Sequence, residues 1–220
     1  ILNWEPEIAA FLVDWAVTSG KSLGKADLLS AYDRVRQPLQ EHRPAWHYPE
    51  VLRRTLSELG REFSLATPPD LLEQFADIAS THKPFPDSKN AIDEFRSMGL
   101  KLAALSNIDD ASFAKVTEAA AIHFDVVVTA QRVGAYKPDP GHFWAALSDL
   151  QALGIPIDRV LHVAQSRRAD IAVANRIGLR CVWVNRPGHI FGRTGQGAEI
   201  SMPDYEVDSL EAVVAMLKGS

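Results

Sequence analysis

The sequence predicts an α/β protein in which a parallel sheet follows a helical first third. From Pro84 onward, short apolar runs alternate with helical segments, a pattern typical of parallel strands with helices on both faces. Before this point, apolar residues recur only at helical spacing. We therefore expect two units, a helical unit over residues 1–83 and an α/β unit over residues 84–220.

Four helices are predicted in the helical unit. Glycine and proline residues interrupt the chain between them, as in a small helical bundle. The predicted helices cover residues near 8–15, 28–35, 52–59 and 71–78.

Five helices and five strands are predicted in the α/β unit. A loop containing Gly192, Gly195 and Gly197 is expected before Pro203. The helices cover residues 88–98, 111–121, 140–153, 168–177 and 209–218, and the strands cover residues 100–105, 124–129, 160–163, 180–184 and 205–207.

The composition is that of an ordinary globular protein. Apolar residues make up 46% and charged residues 23%, and the net charge of -5 disfavours a nucleic-acid partner. No apolar stretch approaches the roughly 20 residues that span a bilayer, and residues 1–5 do not resemble a signal peptide. The single cysteine, Cys181, forms no internal disulfide, so we expect a cytoplasmic protein with no membrane partner.

Polar residues follow three of the predicted strands or precede the next helix. They are Ser106 and Asn107, then Lys137 in a Lys-Pro-Asp-Pro stretch, then Asp170 in the turn after strand 160–163. The ligand crevice of an open parallel sheet lies outside the carboxyl ends of its strands, so we expect these residues to converge there. Taken singly, Lys137 could be a surface lysine, and the other residues could form a turn or a helix cap.

In their order and spacing, these residues resemble the second, third and fourth motifs of the haloacid dehalogenase superfamily. The resemblance covers nearly the whole chain. It implies a three-layer Rossmann-like core over residues 84–220, a helical cap over residues 1–83, and by analogy a homodimer.

The resemblance also implies an aspartate nucleophile at the end of a first strand. Residues 1–6 resemble the stretch just after that motif, so we expect the numbered sequence to start downstream of its nucleophile. This first strand is expected in the middle of the sheet, and without it two strands would face each other with unpaired backbone groups. The alternative is a noncatalytic binding protein that lacks the nucleophile.

The resemblance assigns roles to the remaining residues. Lys137 is expected to stabilise charge near the nucleophile, and Asp170 to orient Lys137 or the hydrolytic water. Ser106 and Asn107 are expected to donate hydrogen bonds to the anionic head of the substrate. Of Arg34 and Arg36, either is a candidate to bind its carboxylate from the cap, and Arg34 is the one we include in the predicted site.

The fourth motif indicates the reaction. Phosphatases of the superfamily usually have Gly-Asp where this chain has Ala164 and Gln165, and a neutral amide is a poor magnesium ligand. Gln165 is therefore placed in the substrate site, and we expect cofactor-free dehalogenation of a small 2-haloacid through an aspartyl ester. The alternative is a magnesium-dependent phosphatase. The chain also departs from the dehalogenase pattern, with Phe143 in place of a tyrosine and Gln-Ser-Arg at residues 165–167 in place of Ser-Ser-Asn.

Two further sets of residues have predicted roles. Trp4, Trp15 and Trp46 are candidates for an apolar pocket or for core packing. His162 lies in a predicted strand, where a packed or hydrogen-bonded role is expected.

Overall fold

A computed structural model describes residues 1–193 and 197–219. Gly195, part of the predicted loop before Pro203, lies outside the described residues. No helix in the described ranges is long and apolar enough to cross a membrane.

Four helices form the first part of the chain, as the apolar spacing predicts. Leu12, Leu28, Leu52 and Phe75 lie on their inner faces and are almost fully buried in one shared core. Because each helix presents an apolar stripe to the others, the helices pack against one another. They are α1 (Glu5–Thr18), α2 (Lys25–Gln40), α3 (Tyr48–Phe63) and α4 (Pro69–Ala76).

A short antiparallel ribbon precedes and follows these helices. Strand β1 (Leu2–Asn3) pairs with β2 (Lys83–Pro84). The sequence did not indicate this ribbon, because each strand has only two residues and shows no alternation. The ribbon brings the start of α1 back to the point where the α/β unit begins.

The rest of the chain alternates strands with helices, and its strands are parallel, as predicted. Strand β3 pairs with β4, and β5 pairs with β6, which pairs with β7. Within the described residues, no ladder joins β3 to β5. The strands are β3 (Ala103–Ser106), β4 (Val126–Thr129), β5 (His162–Ala164), β6 (Cys181–Val184) and β7 (Tyr205–Val207).

Helices cover the strands and bury their apolar side chains. Val182 and Val184 of β6 pack with Ile92 and Val213 in one core cluster, and Val128 of β4 packs with Leu150 in another. The helices are α5 (Ser88–Ser97), α6 (Asp110–Ala119), α7 (Ala130–Val133), α8 (Gly141–Ala152), α9 (Ala172–Arg176) and α10 (Leu210–Lys218).

A buried ion pair fixes the loop after β6. Both carboxylate oxygens of Asp87 lie 2.9 Å from Nη2 of Arg186, whose guanidinium stacks over Phe85. Asp87 also accepts a hydrogen bond from the N–H of Leu210. The loop is therefore held to the starts of both α5 and α10, and it continues toward the carboxyl ends of the strands.

Candidate active site

A buried ion pair lies at the carboxyl ends of β3 and β5. Lys137 Nζ is 2.7 Å from Asp170 Oδ1, and less than a tenth of either side chain is exposed. Lys137 Nζ also donates a hydrogen bond to the carbonyl oxygen of Leu105, at 2.8 Å. The two residues expected to converge therefore touch directly, and the alternative that Lys137 is a surface lysine is wrong.

Asn107 holds the backbone of Lys137 in place. Its Nδ2 donates to the carbonyl oxygen of Lys137 at 3.0 Å, and its Oδ1 accepts from the N–H of Lys137 at 2.8 Å. These two bonds tie the loop after β3 to the loop before α8. The sequence predicts Asn107 as a donor to the substrate, and it did not indicate this positioning contact.

Ser106 is the last residue of β3 and lines the same cavity as Lys137. Its carbonyl oxygen lies 3.2 Å from Nε2 of His142. Burial and the charge of Lys137 lower the pKa of His142 to about 4, so this imidazole is neutral near pH 7 and donates through Nε2. Asp109 caps the following helix, α6, so helix capping is not the role of Ser106.

The turn after β5 directs Asp170 toward Lys137. This turn is a π-helical segment, Arg167–Ile171, and π-helical turns are frequent at functional sites. Ser166 caps it, because its Oγ accepts from the N–H of Ala169 at 3.0 Å. Asp170 is therefore not the helix cap that the sequence left open, and its carboxylate reaches the ion pair instead.

Gly192 brings the loop after β6 against this turn. Its φ is +76°, and a Cβ here would lie 2.7 Å from Cα of Ser166, so glycine alone fits without strain. Its carbonyl oxygen accepts from the N–H of Arg167 at 2.7 Å. The loop therefore supports the turn that carries Asp170.

The charge state of Asp170 depends on two neighbours. Burial by itself raises the pKa of Asp170, because it disfavours the charged form. The charge of Lys137 and a contact from Nε2 of His162, 3.2 Å from Oδ1, outweigh burial and hold the pKa of Asp170 well below its ordinary value. Asp170 is therefore ionised near neutral pH and is a weak proton acceptor.

A cavity of about 990 Å³ adjoins the ion pair. Every residue of β3 and of β5 lines it. Side chains alternate between the faces of a strand, so consecutive lining residues indicate that the strand edges face the cavity. The helical unit contributes residues that include Trp4, Ile8, Tyr32, Arg36 and Tyr48.

The two candidate cap arginines lie on different faces of α2. Two helical positions are separated by about 200° around the axis, so Arg34 and Arg36 point in nearly opposite directions. Arg34 is 61% exposed, binds Glu62 through two contacts and does not line the cavity. Arg36 lines the cavity, is 17% exposed and binds Asp33. The placement of Arg34 in the predicted site therefore does not agree with its position on the outer surface.

The Arg36 side chain lies in the cavity wall and, within the described part of the chain, has an unused hydrogen-bond donor. Its guanidinium lies over the ring of Tyr32, 5.4 Å from the centroid. Its Nε is buried and has no hydrogen-bond partner among the described residues. The hydroxyls of Tyr32 and Tyr48 lie 3.4 Å apart in the same wall, and the sequence did not indicate either tyrosine as a site residue.

The three tryptophans have different environments. Trp4 lines the cavity, as the pocket interpretation expects. Trp15 is buried in the helical core and donates its indole N–H to the carbonyl oxygen of Ala66. Trp46 stacks on His42 and does not line the cavity.

The sequence also matches a known protein family. A sequence model of haloacid dehalogenase-like hydrolases matches residues 2–178. The chain belongs to this family. The matched range includes Lys137 and Asp170, the two residues of the buried ion pair.

Relatives in this family include both dehalogenases and a phosphatase. The (S)-2-haloacid dehalogenase of Pseudomonas sp. strain YL is 33% identical over 171 residues, which is 77% of this chain and 68% of that protein. The phosphoserine phosphatase of Thermus thermophilus is 31% identical over 198 residues, which is 88% of this chain and 75% of that protein. The L-2-haloacid dehalogenase structure from Xanthobacter autotrophicus superposes with a TM-score of 0.78 at 17% identity, covering 100% of this chain and 94% of that one. This structural likeness shows the family fold.

Proposed function

We propose that this protein is a hydrolytic dehalogenase of small 2-haloacids that works without a metal. The observation that carries the proposal is the buried Lys137–Asp170 pair beside a cavity whose fourth-motif positions hold Ala164 and Gln165. Residues 1–83 act in this proposal as a cap and residues 84–220 as the hydrolase core. A cytoplasmic location and a homodimer are parts of the same proposal.

The nucleophile in this proposal is an aspartate on a strand that lies between β3 and β5. Both strand edges line the cavity, and a strand there would place its carboxyl end beside Lys137. The carboxylate attacks the α-carbon, the carbon–halogen bond breaks, and the halide leaves with the bonding electrons. Water then attacks the carbonyl carbon of the resulting ester, and the bond from that carbon to the alkoxide oxygen breaks. One proton of the water passes to the alkoxide oxygen and the other is released to solvent, which frees a 2-hydroxy acid and restores the aspartate carboxylate.

Lys137 supplies positive charge to both half-reactions. A fixed cation in a site shielded from water stabilises charge that develops in the transition state. The low pKa of Asp170 makes it a poor general base. The two expected roles of Asp170, orientation of Lys137 or of the hydrolytic water, therefore fit its environment better than removal of a proton from the water would.

The fourth motif favours dehalogenation over phosphate hydrolysis. Mg²⁺ prefers anionic oxygen ligands, and Gln165 has a neutral amide where phosphatases of the family carry an aspartate. Asp170 Oδ1 already accepts from Lys137 and His162. The similarity to a phosphoserine phosphatase makes phosphate hydrolysis the second candidate.

A chelator experiment separates the two reactions. We expect the native protein to release halide from 2-chloropropionate at an unchanged rate after treatment with excess EDTA. An aryl phosphate, tested in parallel with and without added Mg²⁺, serves as the competing substrate. Phosphate release that requires Mg²⁺, with no halide release, would contradict the dehalogenase proposal.

The noncatalytic alternative is tested on the same native protein. Sequencing of its N-terminus by mass spectrometry is expected to find an aspartate about ten residues before Trp4, the spacing that the resemblance implies. Substrate binding without turnover, together with the absence of such an aspartate, would support a binding protein instead.

Arg36 is the cap residue that we propose to bind the substrate carboxylate. An Arg36→Gln substitution is expected to lower kcat/KM about 10- to 100-fold, mainly through KM, because a hydrogen bond to a charged group contributes about 1.5–3 kcal/mol. Arg34→Gln is the matched control on the same helix and is expected to change kcat/KM less than about twofold, since exposed ion pairs contribute little. Equal effects of the two substitutions would contradict the assignment.

A further inference from the structure

Two donors converge on one oxygen of Asp170. Lys137 Nζ lies 2.7 Å from Oδ1, and His162 Nε2 lies 3.2 Å from the same atom. Among the described residues, no hydrogen bond reaches Oδ2 of Asp170. The carboxylate is therefore anchored through one oxygen, while the other keeps its acceptor capacity beside the cavity.

The hydrogen bond to Asp170 determines which ring nitrogen of His162 carries a proton. A carboxylate oxygen is only an acceptor, so Nε2 of His162 must carry a proton for the hydrogen bond to form. In the neutral form of the ring, the contact therefore requires the Nε2–H tautomer. The ring packs against Phe143, with centroids 4.8 Å apart, and lines the cavity.

Lys137 alone does not fix the plane of the Asp170 carboxylate. An ammonium is a compact charge on a flexible stem, and its attraction to a carboxylate has little directional preference. His162 belongs to β5, where it is in register with Cys181 of β6, so its ring donates from a rigid element. A second donor from a fixed direction restricts rotation of the carboxylate about its terminal bond.

We propose that His162 is a positioning residue for the second half-reaction. It holds Oδ1 of Asp170 so that Oδ2 faces the cavity and accepts a hydrogen bond from the water that cleaves the ester. The inference rests on the proposed dehalogenation, and it extends the site to a residue that the three motifs do not contain. Displacement of halide precedes this water attack and does not require the His162 contact.

Two substitutions distinguish positioning from simple packing. His162→Phe keeps an aromatic ring and removes the donor, whereas His162→Gln keeps an N–H donor. For His162→Phe we expect a burst of halide close to one equivalent per site, accumulation of an ester visible in the intact protein mass, and steady-state turnover lowered about 10- to 100-fold. His162→Gln is expected to recover turnover to within about fivefold of the native protein.

Other outcomes would overturn the positioning role. These are equal losses in the two variants, a loss confined to the halide burst, or unchanged turnover in His162→Phe. Thermal unfolding of both variants identifies any loss that comes from misfolding. A native protein that releases no halide would reject the proposed function itself.

A second measurement concerns His162 alone and does not depend on turnover. Long-range ¹H–¹⁵N correlation spectra of the native protein report which ring nitrogen carries the proton. We expect Nε2 of His162 to be protonated in the neutral form. A neutral Nδ1–H tautomer would overturn the contact with Asp170, whether or not the protein releases halide.

Discussion

Replacement of Lys137 by methionine is expected to lower the rate of halide release by about three orders of magnitude. Methionine keeps much of the stem volume and removes the cation that contacts both Asp170 and the carbonyl oxygen of Leu105. Lys137→Arg is expected to recover little, because a planar guanidinium does not reproduce a compact ammonium in a buried site. Rapid-quench measurement of halide released in the first turnover tests both variants.

The Lys137 experiment has a matched control on the surface. Lys89 pairs with Asp93 at 2.5 Å but is 43% exposed and does not line the cavity, so Lys89→Met should leave halide release unchanged. Loss of one partner of a buried pair also costs about 3–5 kcal/mol of stability, so unfolding midpoints must accompany the kinetics. Native-like halide release by a folded Lys137→Met protein would contradict the proposed role.

Replacement of Asp170 by asparagine is expected to slow ester hydrolysis by about two to four orders of magnitude, because its charge-assisted hydrogen bonds, to Lys137 and in our proposal to the water, contribute about 1.5–3 kcal/mol each. The substitution preserves shape but removes the charge that orients Lys137 and accepts from His162. We expect the ester to accumulate, because water attack loses its oriented acceptor. Intact-mass spectrometry after a short reaction with 2-chloropropionate measures the ester directly.

The stability of Asp170→Asn provides a second readout with a defined sign. The pKa of Asp170 is lowered in the folded protein, so its ionisation stabilises the fold above its unfolded pKa, about 3.9, and this contribution is lost as the pH falls through the folded pKa. Asp170→Asn should therefore be less stable than the native protein at pH 7, and the difference should shrink in acid. Asp93→Asn, in the exposed pair, should show little change at either pH. A destabilisation that is the same at all pH values would contradict this linkage.

Much of the site was predictable because the ends of strands can be recognised in short stretches of sequence, and a parallel sheet brings these ends together. Ser106, Asn107, Lys137 and Asp170 each follow a predicted strand or precede a predicted helix, and the carboxyl ends of parallel strands meet at one edge. Their convergence therefore required only the order of the elements. The individual partners required more, as the reciprocal bonds between Asn107 and the backbone of Lys137 illustrate.

The sequence could not distinguish residues of the same type whose side chains point in different directions. Arg34 and Arg36 belong to the same predicted helix, and only packing of α2 decides which one faces the cavity. A packed or hydrogen-bonded role was expected for His162, but its partner could not be predicted, because the contact with Asp170 depends on the π-helical turn between them. The β1–β2 ribbon was missed because a pair of two-residue strands has no periodicity to detect.

The order of helices and parallel strands, the family resemblance and the residues that meet at the strand ends could all be predicted from the amino-acid sequence. These follow from apolar periodicity and motif spacing, which are properties of short stretches of chain. Three features became visible only in the folded chain: Asp170 shares one oxygen between Lys137 and His162, Arg36 lines the cavity, and the edges of β3 and β5 both line it. Hydrogen bonds and ion pairs act over about 3 Å, whereas sequence spacing does not fix the direction of a side chain to that precision.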